Sequence, residues 1–140
     1  MRGRSFYTWG AVLYVLTGAI HALTHLKAPS TEPAHVAAEE AMRKATDSMV
    51  GMTMNLEEAM DCLGWYMTTL SALVGLVALS LCGRLRTDVW LLRRTSLLLA
   101  IGAGVLCFVA FRFNVAPPGI LYGITAVLFL AATVRAKAAT

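Results

Sequence analysis

Four apolar segments, each long enough to cross a lipid bilayer as a helix, dominate the chain. They cover about 7–26, 62–82, 95–113 and 117–135. A helix needs about 20 apolar residues to span a hydrocarbon core of about 30 Å. The segments do not alternate polar and apolar residues, as the strands of a membrane barrel would. The pattern therefore predicts an all-α fold, a four-helix transmembrane bundle with up-down topology, in one domain over 1–140.

The composition agrees with a membrane location. Of the 140 residues, 58% are hydrophobic and 14% are charged, and a soluble domain of this size could not bury so much apolar surface. The lipid bilayer is thus the expected main partner. A cleaved signal peptide is the alternative interpretation of the first segment, because Arg2 and Arg4 precede it. We interpret this segment as a span, since its apolar run is long and lacks a clear small-x-small cleavage site.

Lys and Arg are divided unequally between the two sides of the predicted bundle. Eight of the twelve basic residues precede the first span, lie between the second and third, or follow the fourth: Arg2, Arg4, Arg84, Arg86, Arg93, Arg94, Arg135 and Lys137. Short loops rich in Lys and Arg stay in the cytoplasm. This predicts a multi-pass protein of the bacterial inner membrane with both termini cytoplasmic. The bias also explains the net charge of +4, so we expect no nucleic acid partner.

The segment 27–61 is the one long connection, and it is acidic, with seven of the eight Asp and Glu residues of the chain. Its 34–49 portion is rich in Ala, Glu, Met and Lys, which predicts a short surface helix on the outer side. Asn55 and Glu58 have the spacing of a capping box. We therefore expect the second membrane helix to begin outside the bilayer, near Leu56. Pro117 or Pro118 should open the fourth helix.

Each span carries a stripe of small and polar residues at steps of three and four. Membrane helices associate through such residues, because small side chains permit close approach and polar groups bond across the interface. The stripes are Tyr14, Gly18, His21 and His25; Glu57, Asp61, Gly64, Thr68, Ser71 and Gly75; Ser96, Ala100, Ala103, Cys107 and Ala110; and Gly119, Gly123 and Ala126. We expect the four stripes to meet at a common axis.

His21 and His25 are four residues apart, so both imidazoles project from one face of the first helix. Ionisable groups inside a span are costly and usually mark a functional site. Antiparallel packing should bring them to the depth of Glu58 and Asp61, with Tyr122 approaching from the fourth helix. We call the surface around these residues the outer mouth, and it is the candidate cofactor-binding or ligand-binding site.

Several ligands fit this pattern. Two His at this spacing with a carboxylate can bind zinc, copper, iron or nickel, so His21, His25, Glu58 and Asp61 are candidate metal ligands. The alternative is that the histidines only hydrogen-bond to carboxylates or backbone groups. A proton-relay or quinone-contacting role is a third interpretation. The cofactor therefore stays open among metal, haem and quinone, and no nucleophile or phosphate-loop pattern identifies a catalytic residue.

Sulfur-containing residues add a further option. Met49, Met52 and Met54 form a thioether cluster on the outer side, and soft sulfur ligands suit Cu(I). Packing of a surface helix is the alternative role for these methionines. The three cysteines form no C-x-x-C motif, and we expect buried, inert thiols.

The first helix carries Gly18-Ala-Ile-His21. With this motif, four short spans and a longer outer segment, the chain resembles small DoxX-like bacterial membrane proteins. Some of these are linked to oxidation of sulfur compounds with quinone as acceptor, or to membrane redox complexes. The resemblance thus implies a redox association. The acidic, Met-rich outer segment departs from the simplest members of that family.

These observations lead to a small integral membrane binding or accessory protein whose outer mouth holds a polar ligand, a metal or a partner. A quinone-linked membrane redox enzyme subunit and a copper-handling membrane protein are the alternatives. A second membrane protein or another copy of the chain is the expected kind of protein partner. The sequence leaves open whether the chain is an enzyme.

Overall fold

The computed structural model describes 2–26, 30–49, 52–113 and 115–136. The chain forms five helices and a two-stranded hairpin in this part. In chain order these are α1 (Arg2–His25), α2 (Pro33–Lys44), β1 (Thr46–Met49), β2 (Met52–Asn55), α3 (Leu56–Leu81), α4 (Val89–Arg112) and α5 (Ala116–Arg135). A 3-10 turn at Arg84–Arg86 connects α3 to α4. The fold class is therefore all-α, with one small hairpin.

Four of the helices, α1, α3, α4 and α5, are long and apolar enough to cross a membrane. Large apolar side chains on their outer surfaces are exposed, among them Leu23, Phe108 and Val134. Such exposure is what contact with lipid requires, since hydrocarbon is the solvent there. The predicted four-span bundle is confirmed. The helices begin before the apolar segments, as α4 does at Val89 rather than near 95.

The helix ends follow local sequence signals. Asn55 Oδ1 accepts a hydrogen bond from the Glu58 backbone N–H at 2.8 Å, and Glu58 Oε2 accepts one from the Asn55 N–H at 3.3 Å. This is the predicted capping box, and α3 begins at Leu56 as expected. Proline occupies the first turn of α5. Both starts were predictable because caps and N-terminal prolines act within one turn of the helix.

The outer segment differs from the prediction. The expected helix over 34–49 is wrong for its last residues, because α2 ends at Lys44 and 46–49 forms β1. β1 pairs antiparallel with β2, with Thr46 opposite Asn55 and Met49 opposite Met52. The Leu56 N–H also donates to the Ala45 carbonyl at 2.9 Å, which joins the base of the hairpin to the start of α3. α2 ends before Thr46, Asp47 and Ser48, which are weak helix formers, and pairing with β2 supplies their backbone hydrogen bonds.

The membrane helices differ in how closely they pack. α1 packs against both α3 and α5, and α4 packs against α5. Within the described ranges, α3 and α4 have no extensive contact with each other. Residues of both helices, together with Tyr7 of α1, line a cavity of about 370 Å³ instead. The closest packing therefore follows the order α3, α1, α5, α4.

Small residues set the closest of these contacts. A Cβ at Gly75 of α3 would lie 2.8 Å from the Ala11 carbonyl oxygen of α1, and a Cβ at Gly18 of α1 would lie 2.9 Å from the Thr68 carbonyl oxygen. Only glycine permits backbones to approach this closely. The stripes of the first two spans are thus an interface, as predicted. Ser96, Ala100 and Ala103 of the third stripe are likewise buried.

Aromatic side chains fill the centre of the bundle. Tyr7 and Phe129 meet edge to face with ring centroids 5.4 Å apart, and Tyr14 and Tyr122 are tilted at 5.9 Å. The Ser71 and Tyr122 hydroxyl oxygens are 2.6 Å apart and hydrogen-bonded. This bond joins α3 to α5, two helices that α1 otherwise separates.

Candidate functional site

His25, the last residue of α1, is enclosed by the first turns of α3. Its imidazole lies against Gly64, where an added Cβ would overlap the ring. Trp65 stacks on the imidazole with ring centroids 5.6 Å apart and planes 29° apart. Asp61 Oδ1 lies 3.8 Å from His25 Nδ1. One short stretch of α3 therefore contacts the same imidazole with a glycine backbone, an aromatic ring and a carboxylate.

The group is open to water at one edge. The His25 side chain is 21% exposed, whereas the Asp61 side chain is 68% exposed. Their separation of 3.8 Å is longer than a hydrogen bond. Both side chains can therefore turn unused donor or acceptor capacity toward a bound group, while packing holds the imidazole in position.

His21 lies one turn before His25 on the same face of α1 and is half-buried. Its backbone carbonyl accepts a hydrogen bond from the Thr24 hydroxyl at 2.6 Å. The contact with a carboxylate that we expected of both histidines is present for His25 with Asp61. Among the described residues, no ion pair connects His21 to a carboxylate.

The other predicted carboxylate, Glu58, has a structural role. Its side chain and backbone complete the capping box with Asn55, at the first turn of α3. A carboxylate bonded to the helix start has less capacity for a ligand than Asp61. Of the two carboxylates predicted for the site, Asp61 is thus the one beside the imidazole.

An ion pair that the sequence analysis missed ties the surface helix to the bundle. Arg43 of α2 binds Glu57 of α3 through two hydrogen bonds, one from Nε to Oε2 and one from Nη2 to Oε1 at 3.0 Å. Bonding to the Glu57 carboxylate raises the pKa of Arg43 above its ordinary value, so the pair stays charged. The two residues are fourteen positions apart, and only the opposite charges in the outer segment could have suggested the contact.

Tyr122 lies elsewhere than predicted. It is almost completely buried, and its hydroxyl is bonded to Ser71. Ser71 follows Gly64 by two helical turns, about 10 Å deeper along α3. Tyr122 therefore belongs to the aromatic centre of the bundle and not to the group around His25. The structure thus does not bring Tyr122 to the outer mouth, where we expected it, because its hydroxyl bonds to Ser71 inside the bundle.

The sulfur-containing residues lie on the hairpin and on the helices. The hairpin register sets Met49 opposite Met52 and Met54 opposite Asp47, while the side chains of Met49 and Met52 lie outside the described set. Cys62 is exposed, in contrast to the buried thiol that we expected, and Cys82 and Cys107 are half-buried. All three are free thiols, as the sequence analysis favoured.

In the described part of the chain, side chains that could bind a metal lie together only in sets of fewer than three. There, no cluster of three or more His, Cys, Asp or Glu side chains is close enough to hold a metal ion. His25 and Asp61 offer two donors of suitable chemistry, an imidazole nitrogen and a carboxylate oxygen. A metal bound by this pair would need further donors from water, a ligand or a partner.

No protein-family model matches the chain, and comparisons with curated proteins and with solved structures likewise find no match. The DoxX-like resemblance therefore stays a prediction. The chain itself is an all-α protein with four candidate membrane spans, and His25 and Asp61 lie side by side where α1 ends and α3 begins.

Proposed function

We propose that this chain is a small integral membrane protein of binding or accessory type, whose outer mouth binds a cationic group of a ligand or partner. His25 and Asp61 are the binding residues, and Trp65 positions the imidazole. The main support is Gly64, because a membrane helix that lacks a side chain at this position leaves room for the His25 ring. His21 is the second imidazole available to the same ligand.

Charge favours a cation over an anion. The segment 27–61 contains seven acidic and three basic residues, and Arg43 is already paired with Glu57. An acidic surface raises the local concentration of cations. A neutral imidazole contributes a lone pair and Asp61 contributes a negative charge, which together suit a divalent metal ion or a protonated amine.

The proposal includes an orientation. Four spans leave both termini on one side, and eight of the twelve basic residues are at that end. The positive-inside rule then assigns the termini to the cytoplasm of a bacterium and the outer mouth to the opposite side of its inner membrane. A ligand or partner would accordingly reach His25 from outside the cytoplasm.

Copper handling is a second candidate, supported by the hairpin register. The backbones of Met49 and Met52 are Cα partners in the hairpin, and methionine is a soft sulfur ligand that suits Cu(I). Replacing Met49, Met52 and Met54 by Leu should abolish Cu(I) uptake by the purified protein under reducing conditions. Met60→Leu on α3 is the control and should leave Cu(I) uptake unchanged. A quinone-linked redox role rests on the family resemblance.

Fluorescence of Trp65 tests the main proposal, because this ring stacks on His25. A protein with Trp9→Phe and Trp90→Phe keeps Trp65 as its one tryptophan. Titration with Zn²⁺ and, separately, spermidine should give a saturable change in emission with at least one of them. Asp61→Asn should weaken that binding by about tenfold, the cost of roughly one charge-assisted hydrogen bond.

Glu40→Gln is the matched control, since Glu40 carries an outer-segment charge on α2 and lies beside Lys44. It should leave the titration nearly unchanged. No response to either cation, or an equal loss in Asp61→Asn and Glu40→Gln, would contradict a site at His25.

A further inference from the structure

At the end of the bundle that carries the termini, α4 and α5 form a groove of about 340 Å³. It is lined by Trp90, Arg93, Arg94, Leu97 and Thr133. The first four residues follow the three-and-four spacing of one face of α4, and Thr133 comes from α5. The volume is at the lower end of the range for small-ligand pockets. The groove is far from His25 and takes no part in the proposed cation site.

Both arginine side chains in this groove are held in place. Arg93 Nε donates to the carbonyl of Ala136, the residue after α5, at 3.1 Å. That carbonyl is at the negative end of the α5 dipole, where backbone acceptors lack partners. The guanidinium carbon of Arg94 lies 5.0 Å from the Trp90 ring centroid, a cation–π contact. The remaining N–H groups of the two guanidiniums stay available for a ligand.

Within the part of the chain that the structure describes, few acidic groups lie near the groove. Asp88 is the one acidic residue in the sequence after Asp61. Its Oδ1 accepts a hydrogen bond from the Leu91 N–H at 2.8 Å, so it caps α4. Within the described ranges, no carboxylate forms an ion pair with Arg93 or Arg94. An anion from outside the described chain would complete the charge balance.

The surroundings of the arginines indicate the kind of anion. Trp90 is 63% exposed, as is typical of tryptophan at a membrane–water interface. Leu97 is 44% exposed and lies two turns further along α4, about 10 Å deeper in the bilayer. Two cations at the interface with an apolar wall below them match a phosphate joined to acyl chains. A soluble anion would leave the apolar wall unused.

We propose that this groove is a binding site for an anionic phospholipid, with its phosphate on Arg93 and Arg94 and an acyl chain along Leu97. Guanidinium groups bind phosphate through paired, charge-assisted hydrogen bonds. Basic pockets between membrane helices on the cytoplasmic side are suited to anionic headgroups. Phosphatidylglycerol serves as the probe for this class.

Quenching of Trp90 measures the binding. A protein with Trp9→Phe and Trp65→Phe is reconstituted into phosphatidylcholine vesicles that contain either brominated phosphatidylglycerol or brominated phosphatidylcholine. The anionic lipid should quench Trp90 at a lower mole fraction than the neutral lipid. Arg93→Gln and Arg94→Gln should each reduce this preference, by about fivefold, the expected contribution of one basic residue near an anionic surface.

The double variant Arg84→Gln with Arg135→Gln is the control, because it removes two charges from the same end without altering the groove lining. It should keep most of the preference. An equal loss of preference in the control would indicate diffuse surface charge and would overturn the proposal. Abolition of the preference by inorganic phosphate would also overturn it, because it would indicate a site for a soluble anion.

Native mass spectrometry of the wild type is a second measurement that needs no variant. Anionic phospholipid should remain bound in preference to zwitterionic lipid, and no enrichment would contradict the site.

Discussion

The imidazole of His25 occupies the space that any side chain on Gly64 would need. This relationship links the end of α1 to the beginning of α3, and it places an ionisable ring between Trp65 and Asp61. A glycine in a membrane helix usually serves contact between backbones. Gly64 instead leaves room for a histidine side chain, so substitutions at the two positions can test the contact.

Gly64→Ala should displace His25 and destabilise the bundle by about 1–3 kcal/mol, the usual cost of overpacking. Gly104→Ala is the control, because a Cβ at Gly104 meets nothing within 4 Å. Adding His25→Ala to Gly64→Ala should restore part of the loss, since the overlapping ring is then absent. The free energy of unfolding in mixed micelles measures these effects. Equal values for the two alanine variants would refute the contact.

The hydrogen bond between Ser71 and Tyr122 should couple α3 to α5. In a double-mutant cycle with Ser71→Ala and Tyr122→Phe, we expect a coupling energy of about 0.6 kcal/mol and at most about 1.7, the range for such bonds in membranes. Ser80→Ala with Tyr122→Phe is the control pair, because the Ser80 hydroxyl bonds to the Val77 carbonyl of its own helix. Additive effects of Ser71→Ala and Tyr122→Phe would show that the bond contributes nothing.

The Arg43–Glu57 pair should hold α2 over the start of α3. Glu57→Gln removes one charge of the pair, so backbone amides of 33–44 should exchange faster with solvent. In the charge-reversed double variant, Arg43→Glu with Glu57→Arg, amide exchange over 33–44 should return toward the wild-type rate. Added salt should reduce the difference, because the pair is exposed and is screened. If Glu39→Gln accelerated exchange as much as Glu57→Gln, the specific contact would be excluded.

Metal binding, if a metal is the cation at the outer mouth, must weaken as pH falls, because protonation removes the lone pair of an imidazole. Bound metal should therefore decrease from about pH 8 to 5. His25→Gln should lose more metal than His21→Gln, since His25 is the histidine beside Asp61. Elemental analysis of both single variants and the double variant decides this. Wild-type protein that is purified without chelator, is metal-free and does not respond to added zinc, copper or haem would exclude ligation.

Features governed by local sequence were predictable. The four spans follow from segment length and hydropathy, and the start of α3 follows from Asn55 and Glu58. The stripes that contain Gly18 and Gly75 identified contact surfaces correctly, because close approach needs small residues whatever the partner helix is. The nearness of His25 to Asp61 followed from antiparallel packing of two consecutive spans.

Features that depend on pairing between distant residues were not predictable. A stripe does not specify its partner, so the order α3, α1, α5, α4 was missed. The hairpin was not predicted because the Ala and Met residues of 34–49 favour helix over the segment as a whole, whereas the strand depends on hydrogen bonds with 52–55. The position of Tyr122 was not predicted, because its distance from the end of the span does not show that its hydroxyl bonds to Ser71 in the interior.

We propose that the His25 end of the bundle faces out of the cell and that the Arg84–Arg86 turn faces the cytoplasm. Single cysteines at Glu40 of α2 and at Arg86 of the turn, in a protein with Cys62, Cys82 and Cys107 replaced by Ser, report the two sides. A membrane-impermeant maleimide should modify the Glu40→Cys variant in intact cells. It should modify the Arg86→Cys variant only after the membrane is permeabilised. Modification of both variants in intact cells, or of Arg86→Cys alone, would contradict the four-span topology with cytoplasmic termini.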